Sequence, residues 1–188
     1  YTGLRRSEVT ALSWKDINFS NKTLRVKFTQ SVGLGSKNII NSPKTPTSKR
    51  TILIGDTLIK ELKKWRKIQK ENRLLYGEYY INNYIDKDGV INNVSGEPYD
   101  FIFTTENGKA LVTTNIGASM KMIKRDLDLD IKFHDLRHPN ATMLIENGAS
   151  IKAVQTRLGH SRLDTTFNVY LHNTKSMEKE IVNILESM

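Results

Sequence analysis

A group of cationic, proton-carrying and phenolic side chains near the carboxyl end is the feature that most constrains this chain. Residues 134–138 read H-D-L-R-H, residues 158–160 read L-G-H, and Tyr170 follows ten residues later. Arginine grips phosphate oxygens in pairs, histidine exchanges a proton near neutral pH, and a tyrosine phenolate can form a covalent phosphoryl intermediate. With a second basic cluster, T-G-L-R-R-S-E at residues 2–8, these groups suffice to break a phosphodiester bond without a metal ion. A fold that uses them together has to bring both ends of the chain to one site.

The order of these motifs resembles the tyrosine recombinase family, the phage-type and transposon-type integrases. In that family the first catalytic arginine lies in T-G-L-R-x-x-E, which here assigns Arg5, and the H-x-L-R-H box assigns His134 and Arg137. The L-G-H box assigns His160, and the family's nucleophile follows within about one helix, which assigns Tyr170. The motifs occur in the family's order and extend over nearly the whole chain.

The resemblance also implies a catalytic lysine, which in the family lies in a β-hairpin before a T-I-x-I strand. Lys44 occupies the matching position, ahead of T-I-L-I at residues 51–54. Lys37 and Lys49 lie in the same region and stay open as alternatives, and Arg50 adds a further cation there.

Two other motif residues are expected to support the site. Glu8 can form a salt bridge or orient Arg5 or a histidine, and His138 is expected to support the structure around His134. The two histidines have the spacing of a metal pair on one helix face. However, the residues between them are Asp-Leu-Arg and not the glutamate of a zinc peptidase, and Arg137 would repel a cation. The sequence therefore predicts neither a metal ion nor a cofactor.

The mechanism that the resemblance implies is a transesterification. Three residues surround the scissile phosphate and stabilise its developing charge: Arg5, Arg137 and His160. Tyr170 attacks the phosphate with His134 as the acceptor of its proton, and Lys44 protonates the departing 5′ oxygen. Because the 3′-phosphotyrosyl link keeps the bond energy, strands can be resealed without ATP.

The resemblance thus implies the catalytic domain of a site-specific DNA recombinase, an integrase of a phage or mobile element. The expected partners are double-stranded DNA attachment sites and further copies of the chain in a tetramer, and an accessory directionality factor is a further candidate. Two alternatives stay open. A type IB topoisomerase shares the nucleophile chemistry but relaxes supercoils, and a non-catalytic DNA-binding module would keep the fold without turnover.

Composition agrees with a polyanionic partner. The chain carries 29 Lys and Arg against 20 Asp and Glu, a net charge of +9. Such an excess favours DNA because each neutralised phosphate releases counterions, although a basic protein with no role on nucleic acid fits the charge equally well. The lack of cysteine excludes disulfides and thiolate metal sites and is compatible with a bacterial cytoplasm. No apolar run is long enough to span a bilayer, and no signal peptide is evident.

Hydrophobic periodicity predicts one α+β domain over residues 1–188, mainly helical with a small antiparallel sheet or hairpin. The predicted elements are a short helix capped by Ser7, strands at 24–28, 51–54 and 101–103, and a hairpin region at 31–50. Further helices are predicted to begin at Asp56, at His134 and at Asp164 or Thr165, and two more are predicted with caps at Thr113 or Thr114 and at Ser150. Residues 72–100 are hard to interpret beyond a hairpin turn predicted at Asp88-Gly89.

The two ends carry separate expectations. The chain begins inside the T-G-L-R motif, whereas the family carries further helical sequence and a core-binding domain before it, so an N-terminal truncation is expected. At the other end, residues 174–188 place apolar side chains at three- and four-residue steps, which predicts an amphipathic helix. This helix either packs on its own domain or, as the resemblance implies, docks on a neighbouring protomer.

Overall fold

The computed structural model of the protein describes residues 1–43, 45, 48–128, 131–159 and 185–186. Within these residues the elements follow in the order α1 (Arg6–Val9), β1 (Ile17–Asn18), β2 (Thr23–Val26), β3 (Thr29–Val32), β4 (Asn38–Asn41), β5 (Arg50–Leu53), α2 (Asp56–Tyr76), β6 (Tyr84–Ile85), β7 (Ile91–Asn92), β8 (Glu97–Pro98), α3 (Thr113–Leu127), α4 (Arg137–Glu146) and α5 (Ile151–Leu158). The predicted α+β architecture, mainly helical with small antiparallel sheets, is confirmed.

The main core lies beneath a three-stranded antiparallel sheet of order β1-β2-β5. Strand alternation turns Leu24 and Ile52, which pair across the sheet, into this core. Helix α2 covers them with residues at helical spacing, among them Ile59 and Leu62. The predicted strands at 24–28 and 51–54 and the helix from Asp56 are therefore confirmed, with bounds that differ by a few residues.

The residues 101–103 do not form the predicted strand. The backbone there makes one isolated bridge, between Ser13 and Phe101, and single hydrogen bonds to the backbone of Leu12 and Leu111. Gln69 Nε2 donates to the Ile102 carbonyl at 3.0 Å, and Trp65 Nε1 donates to the same oxygen at 2.5 Å. The prediction was wrong because the backbone partners of residues 101–103 lie in separate segments and not in one strand, and side chains of α2 bind the Ile102 carbonyl.

Strands β3 and β4 form a hairpin that lies against α1 and the start of α3. Gln30 fastens it, because its buried amide accepts from the Thr113 N–H at 2.8 Å and donates to the Leu111 carbonyl at 3.3 Å. The hairpin is shorter than the predicted region 31–50, and Lys44 follows it outside the described residues.

Residues 84–98 form a second small sheet of order β7-β6-β8. The turn between β6 and β7 confirms the hairpin predicted at Asp88-Gly89. Gly89 has a φ of +79° and its N–H donates to the Asp86 carbonyl at 3.0 Å. A Cβ atom at this position would lie 2.6 Å from the Ile40 carbonyl oxygen, so only glycine lets the turn reach β4.

The carboxyl-terminal part is helical, and its packing brings α5 against β5 and α4. A 3-10 helix at Phe133–Leu136 precedes α4, so α4 begins at Arg137 and not at His134 as predicted. The Asp135 carboxylate stabilises this earlier turn by accepting from the Lys132 N–H at 2.8 Å. Ser150 caps α5 as predicted, accepting from the Ala153 N–H at 3.2 Å, and Gly159 ends it with a φ of +68°.

Two predicted helix caps are wrong. Helix α1 is capped at Arg5, since the Glu8 carboxylate accepts from the Arg5 N–H, and Ser7 lies inside it. Helix α3 begins at Thr113 itself, with Val112 as its first flanking residue.

The helix predicted from Asp164 or Thr165 lies outside the described residues, as does the tail helix at 174–188 apart from residues 185–186, which are helical. No helix among the residues the structure describes combines the length and the apolar character needed to cross a membrane.

Candidate active site

The structure brings together the described residues of the two motifs from opposite ends of the chain. Arg5 is the capping residue of α1 and Glu8 lies within that helix, while His134 and Arg137 lie at the junction of the 3-10 helix and α4. Helix α5 ends at Gly159, directly beside Arg5. Three sequence-predicted residues fall outside the described residues: Lys44, His160 and Tyr170.

Arg5 lies at the edge of an open cleft of about 630 Å³. Its Nη1 donates to Glu8 Oε1 at 2.9 Å and its Nη2 donates to the Gly159 carbonyl at 3.1 Å. The side chain keeps 33 % of its surface exposed. The same cleft is lined by Arg6, Lys132 and His134, so its wall is rich in donors and positive charge. A cleft of this kind suits a phosphate group.

Glu8 is completely buried between two arginines. Its two oxygens accept from Arg50 Nη1 and Nη2, each at 3.0 Å, in addition to the contacts with Arg5. Burial by itself raises the pKa of the Glu8 carboxyl, but the hydrogen bonds and charges of Arg50 and Arg5 outweigh burial and lower it. Glu8 therefore stays ionised, and its contacts hold the Arg5 guanidinium in place.

Arg137 is buried, does not line the cleft, and connects two segments that are distant in sequence. Its Nη1 donates to the Gly3 carbonyl at 2.5 Å, and its Nη2 donates to the Leu158 carbonyl. Burial and the charges of Arg5 and Arg50 lower its pKa to about 10, which leaves it charged at physiological pH. Because both carbonyls belong to motif segments, Arg137 fixes the T-G-L-R and L-G-H segments relative to each other.

His134 lies in the cleft wall, with the His138 ring edge-on to it at 5.7 Å between centroids. Desolvation and the charges of Arg137, His138 and Arg5 lower the pKa of His134 below its ordinary value of 6.5. A neutral imidazole can accept a proton, which suits a general base. Within the described part of the chain, no group of three or more His, Asp or Glu side chains could hold a metal ion.

Arg50 is the residue that sequence reasoning missed. It was one of several cations in the region of Lys44, yet its side chain is only 5 % exposed and faces Glu8. The alternation of side chains along a strand could have indicated that Arg50 is buried. Arg50 and the buried Ile52 are two residues apart in β5, so both point to the same inner face, where a cation needs a buried anion.

Gly159 has to be a glycine because Arg50 packs against its α-carbon. A Cβ atom there would lie 2.8 Å from Arg50 Nη1, and the four hydrogen bonds of Arg50 keep that group from moving aside. We expect Gly159→Ala to lower the free energy of unfolding by more than Gly148→Ala. Gly148 has a φ of +86° with no atom within 4 Å of its Cβ position, so its substitution carries only the backbone strain of about 1–2 kcal/mol. Urea unfolding of both variants measures the difference, and equal losses would contradict the role of Arg50.

Comparison with known proteins identifies the relatives of this chain. The family model described as "Phage integrase family" matches residues 1–177. A protein named "Tyrosine recombinase XerC-like" from Caldanaerobacter subterraneus subsp. tengcongensis is 33 % identical over all of this chain and 47 % of its own length. The integrase of Staphylococcus phage L54a is 31 % identical over all of this chain and 49 % of its own length. The chain spans about half the length of the curated relatives it matches.

The fold is shared with a solved structure. The Tn1549 transposon integrase, solved in complex with transposon right end DNA, superposes with a TM-score of 0.73 at 23 % identity. The match covers 98 % of this chain and 55 % of the integrase chain. At this identity the likeness establishes the fold alone, and the two chains share the α+β architecture described above.

Proposed function

The chain belongs to the phage integrase family, and we propose that the protein cleaves and rejoins DNA as a site-specific recombinase, without metal or ATP. One observation carries the proposal. Arg5 from the first motif and His134 from the second line one cleft, and the buried Arg137 joins the first motif to the end of α5. The segments of Arg5 and His134 are more than 120 residues apart, and no short-range feature of the sequence requires them to meet. A phosphate site built from both segments does require it.

The charge balance of this site supports phosphate binding. Arg5 and Arg50 both pair with the Glu8 carboxylate, and the charges of all three act on Arg137. Three arginines against this one carboxylate leave two positive charges. Fixed cations in a partly desolvated site stabilise charge that develops on phosphate oxygens and need no rearrangement during the reaction. We assign Arg5 and Arg137 to the phosphate and Glu8 to the orientation of Arg5.

The remaining steps rest on the family's motifs. Tyr170 attacks the phosphate, His134 accepts its proton, and His160 joins the arginines on the phosphate oxygens. Lys44 protonates the 5′ oxygen as it leaves. His138, edge-on to His134, keeps that ring in place. The ends of α5 at Gly159 and of β4 at Asn41 support these roles, because His160 and Lys44 follow those ends by one and three residues.

The partners follow from the same proposal. We infer double-stranded attachment sites of a phage or mobile element as the substrate, a tetramer of the protein on DNA as the active assembly, and the bacterial cytoplasm as its location. An accessory directionality factor would select between integration and excision. The net charge of +9 and the Tn1549 integrase solved with transposon DNA support a DNA partner.

A suicide substrate tests the proposal against its rivals. A nicked attachment site loses the short strand carrying the 5′ hydroxyl after cleavage, so an active protein is trapped as a covalent adduct. Adduct formation in excess EDTA, followed by strand exchange between two intact sites, is the expected result. A protein that binds the site without any adduct would be a non-catalytic module, and one that relaxes supercoils without exchanging strands would be a topoisomerase.

The lowered pKa of His134 gives the reaction an expected pH dependence. If neutral His134 accepts the tyrosine proton, single-turnover cleavage should stay constant as the pH falls to 6.5 and decline only below it. His134→Gln should lower the rate and remove that decline, whereas His138→Gln should keep it. The measurement is the single-turnover rate constant of each variant between pH 5 and 8. A pH profile of His134→Gln that matches the wild-type profile would assign the proton transfer to another group.

A further inference from the structure

Arg50 is a buried cation to which the proposed reaction gives no role. Its guanidinium donates to Glu8 Oε1 and Oε2 at 3.0 Å each, to the Arg157 carbonyl at 2.7 Å and to the Ser48 carbonyl at 3.1 Å. All three nitrogens of the group are therefore directed at protein oxygens. Unlike Arg137, Arg50 belongs to none of the motifs, and it forms a two-point ion pair with the Glu8 carboxylate, so it is placed to hold its neighbours and not to bind the phosphate.

These contacts join three segments that the proposed site uses. Arg50 lies on β5, Glu8 lies on α1 beside Arg5, and Arg157 lies in the last turn of α5. The Arg50 side chain also packs against Gly159, whose carbonyl accepts from Arg5. Arg50 thus acts together with Arg137 in setting the position of the first motif against that of the L-G-H segment.

The Glu8 carboxylate is shared between Arg50 and Arg5, and this sharing determines where Arg5 points. Glu8 Oε1 accepts from both Arg50 Nη1 and Arg5 Nη1, while Oε2 accepts from Arg50 Nη2 and the Arg5 backbone N–H. Arg50 grips both oxygens and supplies the main countercharge. Arg5 consequently needs only one nitrogen for Glu8 and keeps a third of its side chain exposed at the cleft.

We propose that Arg50 is a positioning residue for Arg5, and this inference rests on the proposed function. By neutralising the buried Glu8 carboxylate, Arg50 lets the Arg5 guanidinium stay turned towards the phosphate. Without Arg50, the desolvated carboxylate attracts Arg5, the remaining cation that is hydrogen-bonded to it, because a buried charge has to be paired. Arg5 then moves inward and the phosphate loses a preorganised donor.

The direct test is Arg50→Met in the intact protein, which removes the charge and keeps an unbranched apolar side chain. Single-turnover cleavage of the suicide substrate should fall roughly 100-fold, the order of loss that misplacing a catalytic group by about 1 Å produces. Affinity for the attachment site should change little, because Arg50 does not face the DNA. Arg50→Lys should recover little of the rate, since an ammonium cannot grip both carboxylate oxygens.

Arg157→Met is the matched control. Arg157 is a second, partly buried arginine in the same region, and it donates to the Leu53 and Tyr1 carbonyls without touching Glu8 or Arg5. Its loss should lower the melting temperature while leaving the cleavage rate constant close to that of the wild type. A slow Arg50→Met beside a fast Arg157→Met separates positioning from general loss of stability.

A double-mutant cycle with Glu8→Gln tests whether Arg50 acts through the carboxylate. In the double variant no buried negative charge remains to attract Arg5, so cleavage should be about tenfold faster than in Arg50→Met alone, a strong non-additivity of contacting residues. The double variant also serves if Arg50→Met fails to fold, because removing both members of a buried ion pair avoids an unpaired charge. Its cleavage should then exceed that of Arg5→Ala.

Three results would overturn the inference: a folded Arg50→Met that cleaves like the wild type, equal losses of affinity and cleavage in that variant, or additive losses in the cycle. For a double variant assayed alone, cleavage no faster than Arg5→Ala overturns it as well. A wild-type protein that forms no adduct refutes the proposed function itself, and this result is distinct from the others because it involves no variant.

Discussion

Alanine in place of Arg137 is expected to lower the rate constant of single-turnover cleavage by at least two orders of magnitude. A charge-assisted clamp on phosphate oxygens in a desolvated site contributes on the order of 3 kcal/mol or more to the transition state. Arg137 meets the condition of desolvation, because it is 3 % exposed and its burial lowers its pKa to about 10. Quenched cleavage of the suicide substrate measures the effect.

The same substitution should also destabilise the fold, for a separate reason. The Gly3 and Leu158 carbonyls both accept from Arg137, and a buried acceptor that loses its donor costs about 1–3 kcal/mol. Urea unfolding reports this loss, whereas cleavage at a temperature well below the midpoint reports the catalytic one. The two effects are therefore measured independently on one variant.

Arg137→Lys distinguishes a paired clamp from a generic cation. The two terminal nitrogens of Arg137 reach carbonyls in different segments, and a lysine ammonium cannot occupy both positions at once. The rate constant of single-turnover cleavage by Arg137→Lys should therefore stay close to that of Arg137→Ala. Arg125→Lys is the control, since Arg125 is an exposed arginine on α3 that pairs with Asp126 and should tolerate the change. Wild-type cleavage by Arg137→Lys would show that only the charge matters.

Local patterns were sufficient to predict the parts of the fold that local chemistry decides. Apolar residues alternate around Leu24 and Ile52 and recur at helical spacing after Asp56. In each case the apolar residues are the ones that the element buries, so the period predicts the element type. The Ser150 cap follows from a hydroxyl that accepts from the backbone of its own helix, and the turn at Gly89 follows from the positive φ that glycine adopts without strain. These elements needed no knowledge of distant residues.

Long-range polar contacts account for what the sequence did not predict. Residues 101–103 have the sequence of a strand, but Gln69 and Trp65 of α2 bind the Ile102 carbonyl, and the other backbone partners lie in separate segments. The sequence around Arg50 resembles that of a surface cation, but in the fold Arg50 pairs with the buried Glu8, which is 42 residues away in the sequence. Motif order placed Arg5, Glu8, His134 and Arg137 in one site. The spacing of a motif, however, says nothing about which buried ion pair holds that site in shape.

Phenylalanine in place of Tyr170 is expected to abolish the covalent protein–DNA adduct while leaving DNA affinity nearly unchanged. The substitution removes only the attacking oxygen, so binding surfaces stay the same and the step that forms the phosphotyrosyl bond is lost. The measurement is a denaturing gel of the suicide reaction beside a binding titration. Because Tyr170 lies outside the described residues, the remaining tyrosines provide the structural argument.

None of the other six tyrosines lines the cleft that holds Arg5 and His134 in the described part of the chain. Burial raises the pKa of Tyr99, whose hydroxyl donates to the Ala11 carbonyl at 2.7 Å, and burial also raises the pKa of Tyr80. A raised pKa opposes formation of the attacking phenolate. Tyr1 is the nearest to Arg5 along the sequence and is 82 % exposed, so Tyr1→Phe is the matched control and should form adduct at the wild-type rate. Undiminished adduct from Tyr170→Phe, with loss in Tyr1→Phe, would move the nucleophile to the first residue and require a different geometry of attack on the phosphate.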